Sequence, residues 1–387
     1  MTFRISKSMD SLPGYPFAGV KERRLELEAK GVDVIDLGAG DADLAPPPAA
    51  VAAMQRAVEN PAMSRYPFQV GLPAFRSKVS WWMEKRFGVK LDPNKEILPL
   101  IGSKEGLAHL PFAFMDPGDV GIIPDPGYQA YRGGTVFAGG EPWMVPLRPE
   151  HDFLIPLSEL PAKVVKRARI LFLNYPNNPT AAIAPDAYYR EAIAFCKEHD
   201  VILVQDHAYS ELAFDGYKPK SILEFEGARD VAVEFHSLSK TYNMTGWRLG
   251  WAAGSAALVG ALSRVKSFMD TGCFLGVQAA GVAALDSWET WVPGNVAIFQ
   301  QRRDKAVAIM RRAGFEVSVP KATMYLWIPV PGGESSKDFA RRCLDKEGVI
   351  VLAGTGMGDG GEGFFRIALT VPEARLEEAA TRLGRVL

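Results

Sequence analysis

The central part of the chain alternates short apolar runs with amphipathic stretches, and this alternation restricts the possible folds more than any other feature. Five runs have the length and composition of buried strands: Glu96–Ile101, Val120–Ile123, Ile170–Leu173, Val201–Asp206 and Val231–Phe235. Strands that alternate with helices favour a mostly parallel sheet with helices on both faces. The sequence therefore predicts an α/β fold.

The segment that follows the last of these strands carries an isolated lysine. His236–Trp251 contains Lys240, several hydroxyl side chains and no carboxylate. Ligands of α/β proteins bind at the carboxyl ends of strands, and a lysine kept partly dry there can lose its proton and attack a carbonyl carbon. For Lys240 taken alone, an ordinary solvated loop lysine is the alternative.

A second strand end suits an anion. The turn Gly102–Gly106 follows the strand Glu96–Ile101 and leads into a helix, so backbone N–H groups and the positive end of a helix dipole face any bound anion. We expect a phosphate to contact Ser103 and the backbone of Lys104. A plain N-cap role for Ser103 is the alternative, although Gly106 stands where a capping box would place Glu or Gln.

Two further strand ends suit a flat, positively charged ring. Tyr128 follows the rigid turn Pro124–Gly127 and can present its ring as a stacking platform, whereas Tyr131 is expected to pack within the next helix. Asp206 ends an aliphatic strand, where a half-buried carboxylate is costly unless a positive group pairs with it. Capping of the following turn is the alternative for Asp206.

An arginine lies inside a predicted strand near the C-terminus. Arg366 belongs to the apolar run Phe364–Leu369. Its guanidinium either reaches water from an edge strand or binds a planar, two-oxygen anion such as the α-carboxylate of an amino acid. The glycine-rich segment Ala353–Gly363 before it lacks the strand-to-helix context of a nucleotide-binding loop.

Together these motifs resemble those of the class I/II aminotransferases, the fold-type-I enzymes that use pyridoxal 5'-phosphate. Within Ser237–Gly250, Ser-x-x-Lys with an arginine eight residues later is similar to the family's cofactor-lysine signature. Asp206 and Tyr209 match its Asp-x-x-Tyr. Asn174–Thr180 is similar to its Asn-Pro-Thr-Gly, with Ala181 in place of the glycine. The resemblance spans nearly the whole chain and implies a large domain with a mostly parallel sheet plus a smaller α+β domain.

The resemblance also implies roles for individual residues. Lys240 would hold pyridoxal phosphate as a lysine aldimine and act as the catalytic residue. The other implied cofactor contacts are Ser103, Lys104, Ser237 and Arg248 for the phosphate, Tyr128 for stacking, Asp206 for the ring nitrogen, Asn178 and Tyr209 for the phenolic oxygen, and Tyr66 for the phosphate of a neighbouring subunit. The implied substrate contacts are Arg366, Gly38, Tyr15 and Asn178, and no metal is expected.

The implied reaction moves an amino group between an α-amino acid and a 2-oxo acid. Leu12–Ala18, Ile101–Gly106 and Pro124–Tyr128 are most similar to the LL-diaminopimelate aminotransferase-like branch, whose members act on LL-diaminopimelate, alanine, aspartate or other amino acids. A pyridoxal-phosphate-dependent C–S β-lyase on the same scaffold is the alternative enzyme. A regulator that binds the cofactor without catalysis is the alternative from another class, but such regulators carry an added DNA-binding domain, for which the chain has no room.

The composition argues against other classes of partner. A net charge of -1 and a pI near 6.6 give no basic surface for nucleic acid or for a membrane. The three cysteines are widely spaced, which argues against a disulfide framework or a zinc site and fits a reduced cytoplasm. The N-terminus lacks an apolar signal segment, and no long apolar stretch interrupts the chain. We expect a soluble, cytoplasmic protein that binds small molecules.

The length and the change of pattern after Trp251 predict two domains. A chain of 387 residues suits a large domain and a smaller one. Beyond Trp251 we expect helices at 256–269, 277–288, 295–312 and 336–346, and strands at 315–319, 324–328, 349–352 and 364–369. The expected division is an N-terminal arm with part of the small domain at 1–47, the large cofactor-binding domain at 48–295 and the small domain at 296–387. The role implied for Tyr66 also predicts a homodimer with shared active sites.

Overall fold

The computed structural model describes residues 3–14 and 19–387. Its strands are β1 (Ile35–Asp36), β2 (Ile97–Leu100), β3 (Val120–Asp125), β4 (Glu141–Pro146), β5 (Ala168–Leu173), β6 (Ile202–Asp206), β7 (Ala232–Ser237), β8 (Gly250–Gly254), β9 (Tyr325–Pro329), β10 (Val349–Ile350), β11 (Leu352–Ala353) and β12 (Phe364–Ala368). Its α-helices are α1 (Lys7–Asp10), α2 (Val20–Ala29), α3 (Pro48–Glu59), α4 (Pro73–Phe87), α5 (Ser103–His109), α6 (Pro111–Phe114), α7 (Gln129–Phe137), α8 (Ala162–Val165), α9 (Asp186–His199), α10 (Ala228–Val231), α11 (Leu238–Thr241), α12 (Ala256–Met269), α13 (Leu275–Asp286), α14 (Trp288–Arg312), α15 (Ser336–Glu347) and α16 (Glu373–Gly384).

A seven-stranded sheet forms the centre of the molecule. Its strand order is β2-β8-β7-β6-β5-β3-β4, and β8 alone runs antiparallel to its neighbours. One face packs against α4 through Val79 and Trp82, and the other packs against α5 and α12 through Leu107 and Leu262. Burial on both faces explains why the central strands are almost continuously apolar. The prediction of an α/β fold with a mostly parallel sheet is confirmed.

A second, smaller core lies beside this sheet. The antiparallel strands β11, β12 and β9 form its sheet, and α14, α15 and α16 contribute buried residues to it. The short strand β1 pairs in parallel with β10, so Ile35 and Leu37 belong to the same core as residues near the C-terminus. Within the described part of the chain, no helix combines the length and apolarity that a membrane span requires.

One predicted strand does not form. Phe315 and Val317 are buried and alternate with exposed neighbours, as the sequence pattern indicates. The guanidinium of Arg311, however, donates to the carbonyl of Val317 through Nε (2.9 Å) and Nη2 (2.6 Å), and the segment joins none of the three sheets. The prediction of a strand at 315–319 is therefore wrong, because periodicity reports burial and does not reveal whether a neighbouring strand supplies hydrogen bonds.

Three other predicted elements have different boundaries. The helix expected after the turn Gly102–Gly106 begins earlier, at Ser103, and is divided into α5 and α6 at Pro111, whose ring cannot continue the hydrogen-bond ladder. The strand expected at 349–352 is divided into β10 and β11, which join different sheets. The helix expected at 295–312 is the C-terminal part of α14, which contains Pro293.

A buried cluster of one glutamate and two histidines ties the carboxyl ends of β6 and β7 together. Glu234 Oε1 lies 2.5 Å from His236 Nε2 and 3.3 Å from His207 Nδ1, and all three side chains are buried. Burial alone would raise the pKa of Glu234, but the two histidines hold that pKa well below its usual range. His207 directly follows Asp206, and His236 directly precedes Ser237. The cluster therefore fixes the two strand ends that carry those side chains.

Gly250 is essential for the contact between β8 and the turn before α5. A Cβ atom at this position would clash with the carbonyl oxygen of His236 and would lie 2.9 Å from the backbone nitrogen of Ser103. We expect Gly250→Ala to cost about 1–3 kcal/mol, because backbone atoms must move apart to admit the methyl group. Gly246→Ala, at a position with open space, is the control and should change stability by less than about 0.5 kcal/mol. Equal thermal unfolding midpoints for the two variants would contradict this account.

Candidate active site

A pocket of about 310 Å³ opens at the carboxyl ends of the central strands. The turns after β2, β3, β5, β6 and β7 all contribute to it, because the carboxyl ends of parallel strands meet at one edge of a sheet. It brings together these predicted site residues: Ser103, Lys104, Tyr128, Asn178, Asp206, Tyr209, Ser237, Lys240, Arg248 and Arg366.

One end of the pocket is built for an anion. Gly102 (φ 71°) has no space for a side chain, since a Cβ atom would clash with Arg248 Nη2. The Arg248 side chain therefore lies directly against the turn that begins α5 at Ser103. Ser237 Oγ accepts from the backbone N–H of Ser239 (3.1 Å), and Ser239 Oγ lies 3.4 Å from Arg248 Nη1. The sequence analysis missed Ser239, although it lies within the same hydroxyl-rich segment.

Asp206 lines the pocket with a carboxylate that is largely buried. Its Oδ2 accepts from the hydroxyl of Tyr131 at 2.7 Å, whereas its buried Oδ1 has no partner among the described residues. Burial raises the pKa of Asp206 to about 6, even though the Tyr131 hydrogen bond acts in the opposite direction. A protonated ring nitrogen is therefore a suitable partner for Oδ1.

Tyr131 has a second role that the sequence analysis did not identify. As expected, its ring packs in the core, stacked on Phe172 with a centroid separation of 5.0 Å. Its hydroxyl, however, also orients Asp206. The available signal was its spacing of one helical turn from Tyr128, which brings both side chains to the same side of α7.

Two asparagines connect the backbone at Asp206 with the substrate side. Asn174 donates through Nδ2 to the carbonyl of Asp206 (2.8 Å), and its Oδ1 accepts from the backbone N–H of Asn178 (2.8 Å). Asn178 Oδ1 in turn accepts from Arg366 Nη1 at 2.7 Å. Ala181 has a φ of 59°, a left-handed conformation that explains why a glycine is usual here.

Arg366 is a buried guanidinium without a carboxylate partner. Only 4% of the residue is exposed, its Nη2 donates to the carbonyl of Gly38 at 2.6 Å, and its Nε has no partner among the described residues. Within residues 3–14 and 19–387, no carboxylate forms an ion pair with it. Such a group is stabilised by an anion from outside the chain, and a substrate carboxylate offers the two-oxygen geometry it prefers.

Lys240 lines the same pocket as Asp206 and Arg366. It belongs to the short helix α11, it is half-buried, and its Nζ donates to the carbonyl of Gly40. No described carboxylate pairs with this amine. An amine without a carboxylate partner in this pocket suits a nucleophile or a proton carrier.

Two of the predicted site residues that the structure describes, Tyr66 and Gly38, are absent from the pocket lining. Tyr66 is 73% exposed, whereas Gly38 contacts the site through its carbonyl, which accepts from Arg366. The prediction for Tyr15 falls outside the described residues. The glycine-rich segment 353–363, in contrast, does reach the pocket. The backbone N–H of Gly127 donates to the carbonyl of Met357 at 2.9 Å, and Met357 lines the pocket.

The arrangement fits pyridoxal 5'-phosphate. The turn at Ser103 with Arg248 suits its phosphate, the unpartnered Asp206 Oδ1 suits its ring nitrogen, and the Lys240 amine suits its carbonyl carbon. Tyr128 lines the same pocket, where its ring can cover a flat ligand. These residues can hold the cofactor and leave Arg366 for a substrate carboxylate.

Comparisons with known proteins agree with this chemistry. The family model of aminotransferase class I and II matches residues 32–383. The LL-diaminopimelate aminotransferase of Desulforudis audaxviator (strain MP104C) is 48% identical over 390 residues, with 100% of both chains covered. Substrate-bound BacF from Bacillus subtilis is 34% identical with a TM-score of 0.94, covering 100% of this chain and 98% of that chain. A probable N-succinyldiaminopimelate aminotransferase from Thermus thermophilus is 37% identical with a TM-score of 0.91, covering 96% of this chain and 100% of that chain.

These relatives do not favour the C–S β-lyase alternative. These relatives match the chain in length and fold, and their family matches the chemistry of the pocket described above. Together these findings settle the class of enzyme. The chain belongs to the class I and II aminotransferases of fold type I and is a transaminase that uses pyridoxal 5'-phosphate.

Proposed function

We propose that this aminotransferase takes its amino group from LL-diaminopimelate. The observation that carries the proposal is a fourth cation in the pocket, beyond the three that cofactor and α-carboxylate require. Lys240 is assigned to the cofactor carbonyl, Arg248 to the phosphate and Arg366 to the α-carboxylate. The side chain of Lys104 remains, and LL-diaminopimelate brings a second carboxylate that can meet it.

The surroundings of Lys104 support this role. Its Nζ lies 5.5 Å from the centre of the Tyr128 ring, and Lys104 lines the pocket. Burial lowers the pKa of Lys104, and nearby Arg248 lowers it further. Among the described residues no carboxylate forms an ion pair with it. A substrate carboxylate would therefore stabilise its charged form.

The chain's own residues then divide the reaction among them. Arg366 and Asn178 orient the substrate at its α-carboxylate, and Asp206 with Tyr131 keeps a proton on the ring nitrogen. When bound, pyridoxal phosphate supplies an electron sink for the negative charge that develops at Cα. The Nζ of Lys240 removes the Cα proton and returns it at a different carbon. The second substrate, a 2-oxo acid, reverses these steps.

A donor screen tests the proposed substrate. LL-diaminopimelate, alanine, aspartate and cystathionine are each mixed with holo-protein, and conversion of the cofactor absorbance to the amine form is followed. We expect conversion with LL-diaminopimelate, and Lys104→Gln should lower kcat/KM for it about 10- to 100-fold, the range for a charge-assisted hydrogen bond. The same substitution should affect alanine little, because alanine has no second carboxylate. Faster conversion with alanine than with LL-diaminopimelate would contradict the proposal.

The catalytic assignment of Lys240 is tested separately. We expect Lys240→Ala to abolish turnover while the protein still folds and binds pyridoxal phosphate without a covalent bond, because the contacts of Asp206, Tyr128 and the phosphate remain. Borohydride reduction of the wild-type holo-protein followed by peptide mapping identifies the attached lysine. A label on any other lysine would disprove the assignment.

We also propose a homodimer with shared active sites. The backbone N–H of Gln69 donates to the carbonyl of Thr271 at 2.9 Å, so the segments 66–70 and 268–274 lie side by side. The large apolar side chains that these segments expose are Tyr66, Phe68, Val70, Phe268, Met269 and Phe274. A second copy of the chain would cover this surface and place Tyr66 in the partner's pocket.

Hybrid dimers test this arrangement. Lys240→Ala and Tyr66→Phe are expected to be impaired separately, and after subunit exchange they should recover about a quarter of wild-type activity. Half of the dimers are then mixed, and each mixed dimer has one site with both native residues. The control is a mixture of the two variants in which the subunits of each dimer are covalently linked and cannot exchange. No recovery despite demonstrated exchange would rule out shared sites.

The domain division and the cellular location complete the proposal. We propose a boundary at 295/296 within α14, since Val292 belongs to the core of the central sheet whereas Phe299 belongs to the second core. A cytoplasmic location is consistent with three free, buried cysteines.

A further inference from the structure

Tyr325 touches both sides of the pocket, although neither the sequence motifs nor the proposed roles include it. It lies on β9, and its neighbour across the strands is Ala368 on β12. Arg366 is two residues away on the same face of β12, and its guanidinium lies 4.1 Å from the centre of the Tyr325 ring. The Tyr325 hydroxyl lies 3.1 Å from the hydroxyl of Tyr209. One side chain thus joins the substrate arginine to the residue assigned to the cofactor's phenolic oxygen.

The hydroxyl of Tyr325 is confined. Only 2% of the residue is exposed, and a Cβ atom on Gly40 would clash with this oxygen. The carbonyl of the same Gly40 accepts from Lys240 Nζ, so the lysine amine is held nearby. The ring and hydroxyl therefore have one available orientation, and Gly40 leaves the space for it.

Charged groups from both sides of the pocket act on the Tyr325 hydroxyl. Burial alone would raise the pKa of Tyr325, but Lys240 and Arg366 bring it below its ordinary value. Burial keeps the pKa of Tyr209 well above its ordinary value, with Tyr325, Arg366 and Asp206 as the charged or titratable neighbours. The two hydroxyls lie within hydrogen-bond distance, so Tyr325 holds the Tyr209 hydroxyl in place inside the pocket.

We propose that Tyr325 is a positioning residue that holds the Tyr209 hydroxyl in place for the phenolic oxygen of the cofactor and, through its ring, holds the Arg366 guanidinium in place for the α-carboxylate. The proposal rests on the roles given to Tyr209 and Arg366 above. It makes the two functions of the side chain separable, since the hydroxyl serves the cofactor and the ring serves the substrate.

Two variants separate these functions. Tyr325→Phe removes the hydroxyl and keeps the ring. A hydrogen-bond donor to the phenolic oxygen favours loss of the proton on the nitrogen that joins Lys240 to the cofactor. Because Tyr325→Phe weakens this effect, the cofactor absorbance of the holo-protein should titrate about 0.5 to 1 pH unit higher than in the wild type. Binding of 2-aminoisobutyrate, which offers an α-carboxylate but no Cα proton, should be unchanged. Tyr325→Leu should also weaken that binding about threefold to tenfold, the effect of losing a partly buried cation–π contact.

Matched controls distinguish this role from general loss of packing. Tyr188→Phe removes another buried tyrosine hydroxyl, which donates to the carbonyl of Ile155 at 3.1 Å outside the pocket, and should leave both readouts at wild-type values. Arg366→Lys tests the underlying assignment: if it leaves 2-aminoisobutyrate binding unchanged, the proposed role of Arg366 fails. The role of Tyr325 is overturned if Arg366→Lys weakens 2-aminoisobutyrate binding but the cofactor absorbance of Tyr325→Phe titrates at the same pH as that of Tyr188→Phe. An absorbance titration that moves to lower pH in Tyr325→Phe would overturn it as well.

Discussion

The active site depends on a carboxylate buried at the edge of the central sheet. Asp206 is 5% exposed, and burial raises its pKa to about 6, so the fold maintains this group in an environment that opposes its charge. The hydrogen bond from Tyr131 compensates for part of this cost. A cation bound in the pocket beside Asp206 would stabilise the ionised form, so the contributions proposed for Asp206 to cofactor affinity and to ring protonation would share one electrostatic cause.

The substrate side depends on contacts between segments that are distant in sequence. Arg366 on β12 is held by Asn178, which follows β5, and by the carbonyl of Gly38, which follows β1. The second core therefore contributes the arginine, and the central sheet contributes one of its two acceptors. Any relative movement of β12 and the turn after β5 changes the position of the guanidinium. Substrate orientation is consequently sensitive to packing between the two cores.

Much of this was predictable from the sequence, because strand ends carry both local patterns and function. Lys240, Asp206 and Arg366 each stand out as a charged residue in or beside an apolar run. The roles of Tyr131 and Tyr325 were not predictable in this way, because a tyrosine among apolar residues suits core packing equally well. Only the tertiary structure shows which hydroxyl meets a polar group. The failed strand at 315–319 has a similar cause, since burial alternates there but Arg311 supplies the hydrogen bonds.

The two arginines of the pocket have the same side chain but different surroundings, and these surroundings suit them to different ligands. Arg248 is exposed, and its Nη1 donates to the carbonyl of Thr245 at 2.8 Å, so it approaches the anion site from the solvent side. Arg366 is buried against the Tyr325 ring and keeps Nε unpartnered among the described residues. An exposed guanidinium gains little free energy from an ion pair because water screens the charges. This suits a phosphate that is also bound by backbone N–H groups. A buried one gains more from a single planar carboxylate, which suits a substrate that must be oriented before its Cα proton moves.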